Sequence, residues 1–255
     1  MKFLPFLALL LTGCASVGYN TVKTGTFTGS AVVVWVGAGD ESVLGDGEFL
    51  YVPVNDQRLR FTRPVDADAP GGPLTIEPEA FYTDGGSVPR AVQALRGLNA
   101  WAYGPAYVIH DWVFVARKCL NDADENGQFI VDGKNVITDE MRKIAGMRFR
   151  DSAVLMAETI RTLAQDYDID ADASGALVSG VTAGPISRGL WNAREECEGL
   201  QVTDPDHLRI IADLQGRNVE ALARTLGDTR SERITASGGQ EYRVVAAFNL
   251  DRPAR

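Results

Sequence analysis

Apolar positions cluster in short β-prone runs over the first third of the chain, then switch to a spacing of three and four. The runs Ala31–Val36, Glu48–Val54, Arg58–Pro64 and Pro73–Tyr82 are separated by GAGD, Asn55-Asp56 and DADAPGG, which are turn chemistries. They predict a small antiparallel sheet with a tight hairpin at Asn55-Asp56. After Gly85-Gly86 the period becomes helical. Ser87 is placed to cap a short helix to about Gly97, with Pro89 in the first turn, where a missing N–H costs nothing. Further helices are predicted over Pro105–Lys118, Thr138–Gln165 and Ile186–Glu198, with SGALVSGVTAGP before the last of these reading as a loop. Leu208, Ile211, Leu214, Val219, Leu222 and Leu226 then mark one apolar side of a run from His207 to Leu226. Glu232–Ala236 and Glu241–Asn249, around Gly238-Gly239, predict a closing strand pair. The class is α+β: a small antiparallel β-sheet followed by a helical bundle, with a C-terminal strand pair.

The two ends of this pattern modify the picture. Residues 1–13 begin with one lysine and an apolar run from Phe3 to Leu11, too short to cross a bilayer, which takes about 20 residues. Such a segment reads as a signal peptide. Leu11-Thr12-Gly13-Cys14 resembles the cleavage site of bacterial lipoproteins, which implies lipidation of Cys14 and a membrane partner held through that anchor. Ala15 in place of aspartate implies the outer membrane of the cell envelope. Residues 14–30, rich in Ser, Thr and Gly, are expected to be a flexible tether. The domain with the motifs described below is expected over 31–200, and a C-terminal helix and strand pair over 201–255.

Charge and cysteine content narrow the partners. A net charge of -9, without a basic stripe, argues against a nucleic-acid partner. After Cys14 two cysteines remain, Cys119 and Cys197; in an oxidising compartment an even pair predicts a disulfide, two separately buried thiols being the alternative.

The candidate chemistry lies between Leu74 and Phe114, where LTIEPEAFYTDGGSVPR leads into WAYGPAYVIHDWVF. His110, one of two histidines in the chain, adjoins Asp111 within an apolar helical run. On the third predicted helix Ile144, Met147, Asp151, Val154, Leu155 and Glu158 share a stripe, so Asp151 falls among apolar residues and needs a donor. Antiparallel packing of the two helices would let His110 and Asp151 meet, fixing the imidazole tautomer and leaving one nitrogen as base or ligand. Asp111, about 100° round the helix, would face the turn that carries Asp84. A satisfied core network, with Asp84 and Ser87 as turn and cap residues, is the bland alternative.

The runs LTIEPEAFYTDGGSVPR, AYVIHDWVF and RFRDSAVLMAETI resemble the domain of unknown function 1353 family of phage and bacterial proteins, over about residues 47 to 165. Gly86 stands where alanine is common and Phe114 where tyrosine is common. That resemblance implies a domain but no activity. The order of a glycine turn, a His-Asp helix and a second helix with aspartate also resembles secreted phospholipases A2, without their cysteine framework. It implies His110 as the base activating water and Asp151 as its orienting partner. Asp84 and Asp111, with the carbonyls of Gly85, Gly86 and Ser87, would hold calcium or another divalent metal against a lipid or other ester substrate. Asp122, Asp124, Asn126 and Gly127 match the first half of an EF-hand loop, but Gly133 stands where the bidentate glutamate belongs, so an acidic surface loop is expected. Two function classes follow: a lipid-anchored, metal-assisted hydrolase, and a non-enzymatic, phage-related or envelope scaffold or binding lipoprotein.

Overall fold

The run SAVVVWVG forms the strand at the centre of the fold, because alternate valines find apolar cover on both sides. The computed structural model describes residues 17–37, 48–54, 57–64, 75–84, 103–144, 146–167, 172–228, 232–235, 239 and 241–251. Strands are β1 (Thr26–Thr28), β2 (Ser30–Gly37), β3 (Glu48–Pro53), β4 (Arg60–Thr62), β5 (Thr75–Ile76) and β6 (Phe81–Thr83), followed by β7 (Ile130–Val131), β8 (Lys134–Asn135), β9 (Glu232–Thr235) and β10 (Glu241–Asn249). Helices are α1 (Gly104–Asp122), α2 (Asp139–Ile144), α3 (Phe149–Asp166), α4 (Asp172–Thr182), α5 (Pro185–Trp191), α6 (Cys197–Leu200), α7 (Pro205–Gln215) and α8 (Val219–Asp228). The fold is α+β, as the pattern predicts.

The main sheet has the order β6-β3-β2-β10-β9, antiparallel throughout. Period-two alternation sends Val32 and Val34 to one face, where they pack with Leu50, Val52 and Val244 against Ile210, Leu214, Val219 and Leu222 of α7 and α8. On the other side Ala31, Tyr51 and Phe81 join the larger core built on α1 and α3. α1 is buried nearly all round, from Tyr107, Ile109 and Trp112 to Cys119, which makes it the internal helix of that layer. Each fully buried Val, Leu or Ile in these clusters is worth roughly 1.5–3 kcal/mol.

Several expectations change. The closing strand pair is not a separate unit, since β10 lies beside β2 and ties the last strand to the first long one. The expected hairpin across Asn55-Asp56 does not form: β3 pairs with β2 and β6, whereas β4 pairs with β1 and β5 in a second sheet. Asn55 and Asp56 themselves lie outside the described residues, as does the helix expected from Ser87 to Gly97. The expected tether is built into the fold from Val17 onward: Val17, Tyr19 and Phe27 are buried, β1 pairs with β4, and the Phe27 and Phe61 rings are 4.7 Å apart. Gly29 makes the crossing from the small sheet to the large one at φ +83°, where a Cβ would stand 2.0 Å from the Arg58 carbonyl oxygen.

Polar caps divide the long apolar runs. The single helix expected over Thr138–Gln165 is α2 and α3; the Arg148 N–H donates to the Asp151 carboxylate at the start of α3. Ile186–Glu198 becomes α5 and α6, separated where Asp122 accepts from the N–H groups of Glu195, Glu196 and Cys197 at 2.7, 3.0 and 3.0 Å. Asn218 caps α8 through the Ala221 N–H, dividing His207–Leu226. The apolar phase survives each interruption because both pieces cover the same core. SGALVSGVTAGP, expected as a loop, mostly builds α4, whose small residues let it lie close to α3.

Candidate functional site

β6 positions the motif residues by alternation. Phe81 faces the α1 layer, its ring 5.6 Å from Trp112, and Thr83 on the same side donates to the Asp111 carboxylate at 2.5 Å. Tyr82 points to the opposite layer, where its hydroxyl shares a 2.7 Å hydrogen bond with Nδ1 of His207. Burial, aided by the negative charge of Asp204 and Glu48, pushes that phenol up to about 12. Asp84 follows Thr83 directly at the exposed end of β6. Gly85, Gly86 and Ser87 lie outside the described residues.

His110 is buried on α1, 6% exposed. Its ring lies 4.8 Å from that of Phe114, and its Nδ1 is 3.8 Å from an Asp111 oxygen, too far for a hydrogen bond. Nε2 is buried and has no hydrogen-bond partner among the described residues. Phe114 stacks edge-on against Trp191, which also meets Phe149, and the Arg117 guanidinium lies over the Trp191 ring at 5.5 Å. One turn before His110, Tyr107 has its hydroxyl buried and raised, by desolvation first and then by Tyr103 and Asp111. The stripe of α1 around His110 is therefore aromatic and closed.

The expected pairing of His110 with Asp151 does not form. Asp151 is 1% exposed and accepts from Nε and Nη2 of Arg148 at 2.9 and 3.0 Å, and from the Arg148 backbone N–H at 3.2 Å. Its donor comes from the same helix terminus, three residues back, instead of from the neighbouring helix. A carboxylate on an apolar stripe does need a donor; periodicity cannot say which one supplies it. Among the described residues no three His, Cys, Asp or Glu side chains gather as a metal site. The acidic loop is likewise built for structure. Asp124 caps its own turn through the N–H groups of Asn126 and Gln128, and Asp132-Gly133 turns the β7–β8 hairpin with φ of 49° and 75°.

Cys119 and Cys197 are joined in a disulfide, with Cα atoms 4.6 Å apart, which links the end of α1 to α6. Cys14 lies outside the described residues.

Two polar groups escaped the pattern-based reading. Arg63 and Glu158 form a two-point ion pair at 2.8 and 3.0 Å, both side chains almost fully buried, between the β4 end and α3. The Glu158 position on the apolar stripe carried the same signal as Asp151. Glu140, in the first turn of α2, accepts from Trp112 Nε1 at 3.2 Å and from the Glu77 N–H at 2.7 Å. Desolvation holds its carboxyl above the usual range, against the lowering effect of those two bonds. Glu77 itself faces Arg58 and Arg60 at the surface.

No protein family, no curated protein and no solved structure matches this chain.

Proposed function

We propose that this chain is a non-enzymatic envelope lipoprotein, anchored in the outer membrane through Cys14, whose His-Asp corner is part of a structural scaffold. The observation that carries the reading is the engagement of Asp151 by Arg148, which leaves His110 without the carboxylate that would orient it as a base. Two features support it further. The His110 ring is closed in among aromatic side chains, and the neighbouring Asp111 is held by Thr83. A calcium-assisted esterase with His110 as base would require both an open ring and an orienting carboxylate.

The test is hydrolysis of short- and long-chain esters by the purified chain, with calcium and with chelator, compared with His110→Gln. Equal background rates for both proteins are expected. A calcium-dependent rate that His110→Gln abolishes, in a variant whose melting curve matches the wild type, overturns the scaffold reading. The anchor is checked separately by blocking the lipoprotein signal peptidase, which should leave a longer precursor.

A further inference from the structure

Two consecutive helices carry exposed apolar side chains. Leu177 and Val181, a turn apart on α4, and Ile186 and Leu190, a turn apart on α5, are 38, 44, 63 and 36% exposed. Single exposed apolar side chains are ordinary, but four of them fall within 14 residues here, on consecutive helices joined by the short Ala183-Gly184 turn. No ionisable residue lies between Asp172 and Arg188.

The inner side of α4 shows where the N-terminal segment runs. A Cβ at Gly175 would stand 2.5 Å from the Tyr19 hydroxyl oxygen and 2.9 Å from Ile160, so the Tyr19 ring is seated directly against α4. Cys14 precedes Tyr19 by five residues, which reach at most about 18 Å when extended. A helix with its side chains is only about 10–12 Å across. A lipid on Cys14 can therefore enter a bilayer that touches the outer side of α4. Beside it Arg161 of α3 donates to the Tyr19 carbonyl at 3.3 Å, which fixes the segment against the α3–α4 layer.

From this placement we infer that the α4–α5 hairpin lies on the bilayer that receives the Cys14 anchor, with Leu177, Val181, Ile186 and Leu190 immersed at the boundary of headgroups and acyl chains. The inference rests on the lipoprotein reading above and adds a second, protein-borne contact that would fix the orientation of the domain on the membrane.

The experiment uses the processed full chain, purified from the envelope and reconstituted into phosphatidylethanolamine–phosphatidylglycerol vesicles with or without bromine on the acyl chains. Ile186→Trp is the reporter. Leu208→Trp, at an exposed position of α7 on the far side of the main sheet, is the control. Immersion of about 5–10 Å should cost the Ile186→Trp signal about half its intensity in brominated vesicles and leave the control signal unchanged. The mass of the N-terminal peptide reports the acyl chains independently. Acylated Cys14 with equal quenching of the two reporters overturns the contact and leaves the anchor standing. Unmodified Cys14 with selective quenching of Ile186→Trp overturns the anchor and supports the contact. A concentration-dependent dimer that Ile186→Glu abolishes would put a second copy on this face and also overturn the inference.

Discussion

The two helical layers over the main sheet bury their residues by different rules. α7 and α8 cover one face as amphipathic helices, with Ile210, Leu214, Val219 and Leu222 inward. The layer of α1 and α3 buries polar groups as well: His110, Asp151, Glu158 and Thr159 are each at most 6% exposed. The first layer keeps its polar pairs, such as Asp213 with Tyr242 and Arg217, only part-buried, whereas the second sets a charged pair, Arg63 with Glu158, in its interior. The two histidines show the same contrast. His207, on the simple layer, has a phenol partner in Tyr82; His110, in the polar-rich layer, is packed among rings.

If the contrast is real, the largest loss should come from breaking a buried ion pair in the α1–α3 layer. Glu158→Leu leaves the Arg63 guanidinium facing an apolar side chain and should cost about 3–5 kcal/mol in denaturant unfolding. The joint replacement of Arg63 and Glu158 by apolar residues should recover much of that loss. If single and double variants are equally destabilised, the pairing is not what matters there.

On the simple layer Leu214→Ala should cost about 3 kcal/mol through lost burial and a cavity, with no dependence on pH between 5 and 8. A strong pH dependence would mean that this layer, too, relies on buried charge. Replacing Cys119 and Cys197 with serine should cost about 2–4 kcal/mol, since their 78-residue separation makes the reduced unfolded chain much freer. An unchanged unfolding midpoint with and without reductant contradicts this.

Asp151→Ala should cost about 1–2 kcal/mol, the worth of hydrogen bonds to a charged acceptor at the start of α3. The ring resonances of His110 should stay where they are. A large shift of those resonances would show that Asp151 and His110 are coupled after all. The smallest effect concerns Glu140, whose carboxyl is held above its unfolded value by desolvation. The folded state then binds the proton more tightly than the unfolded one. Its contribution is fully present below the unfolded value and is lost as pH rises through the raised one. Glu140→Gln should therefore flatten the fall in stability over that window. Glu79, also raised by burial, keeps a share of the slope. An unaltered pH profile in Glu140→Gln would remove Glu140 from the account.

Residue pattern alone determined the class, the strand runs, the helix α1 and the inward positions Leu214, Val219 and Leu222, because burial follows periodicity wherever a layer is covered by apolar side chains; on α7 the predicted side was displaced, since Ile210 is buried and Leu208 is exposed. It also paired Cys119 with Cys197, and it singled out His110 and Asp151 as residues needing partners. The structure decided the hydrogen-bond and strand partners. Asp151 is satisfied by Arg148 from its own helix terminus, Asp111 by Thr83 across to β6, Glu158 by Arg63 just past β4, 95 residues earlier, and β10 by pairing with β2. A hydrogen bond is set by a few tenths of an ångström in three dimensions, and sequence spacing constrains that only within a single helix or strand. Hydrophobic burial has no such direction, which is why the elements could be read from the sequence and the polar pairings could not.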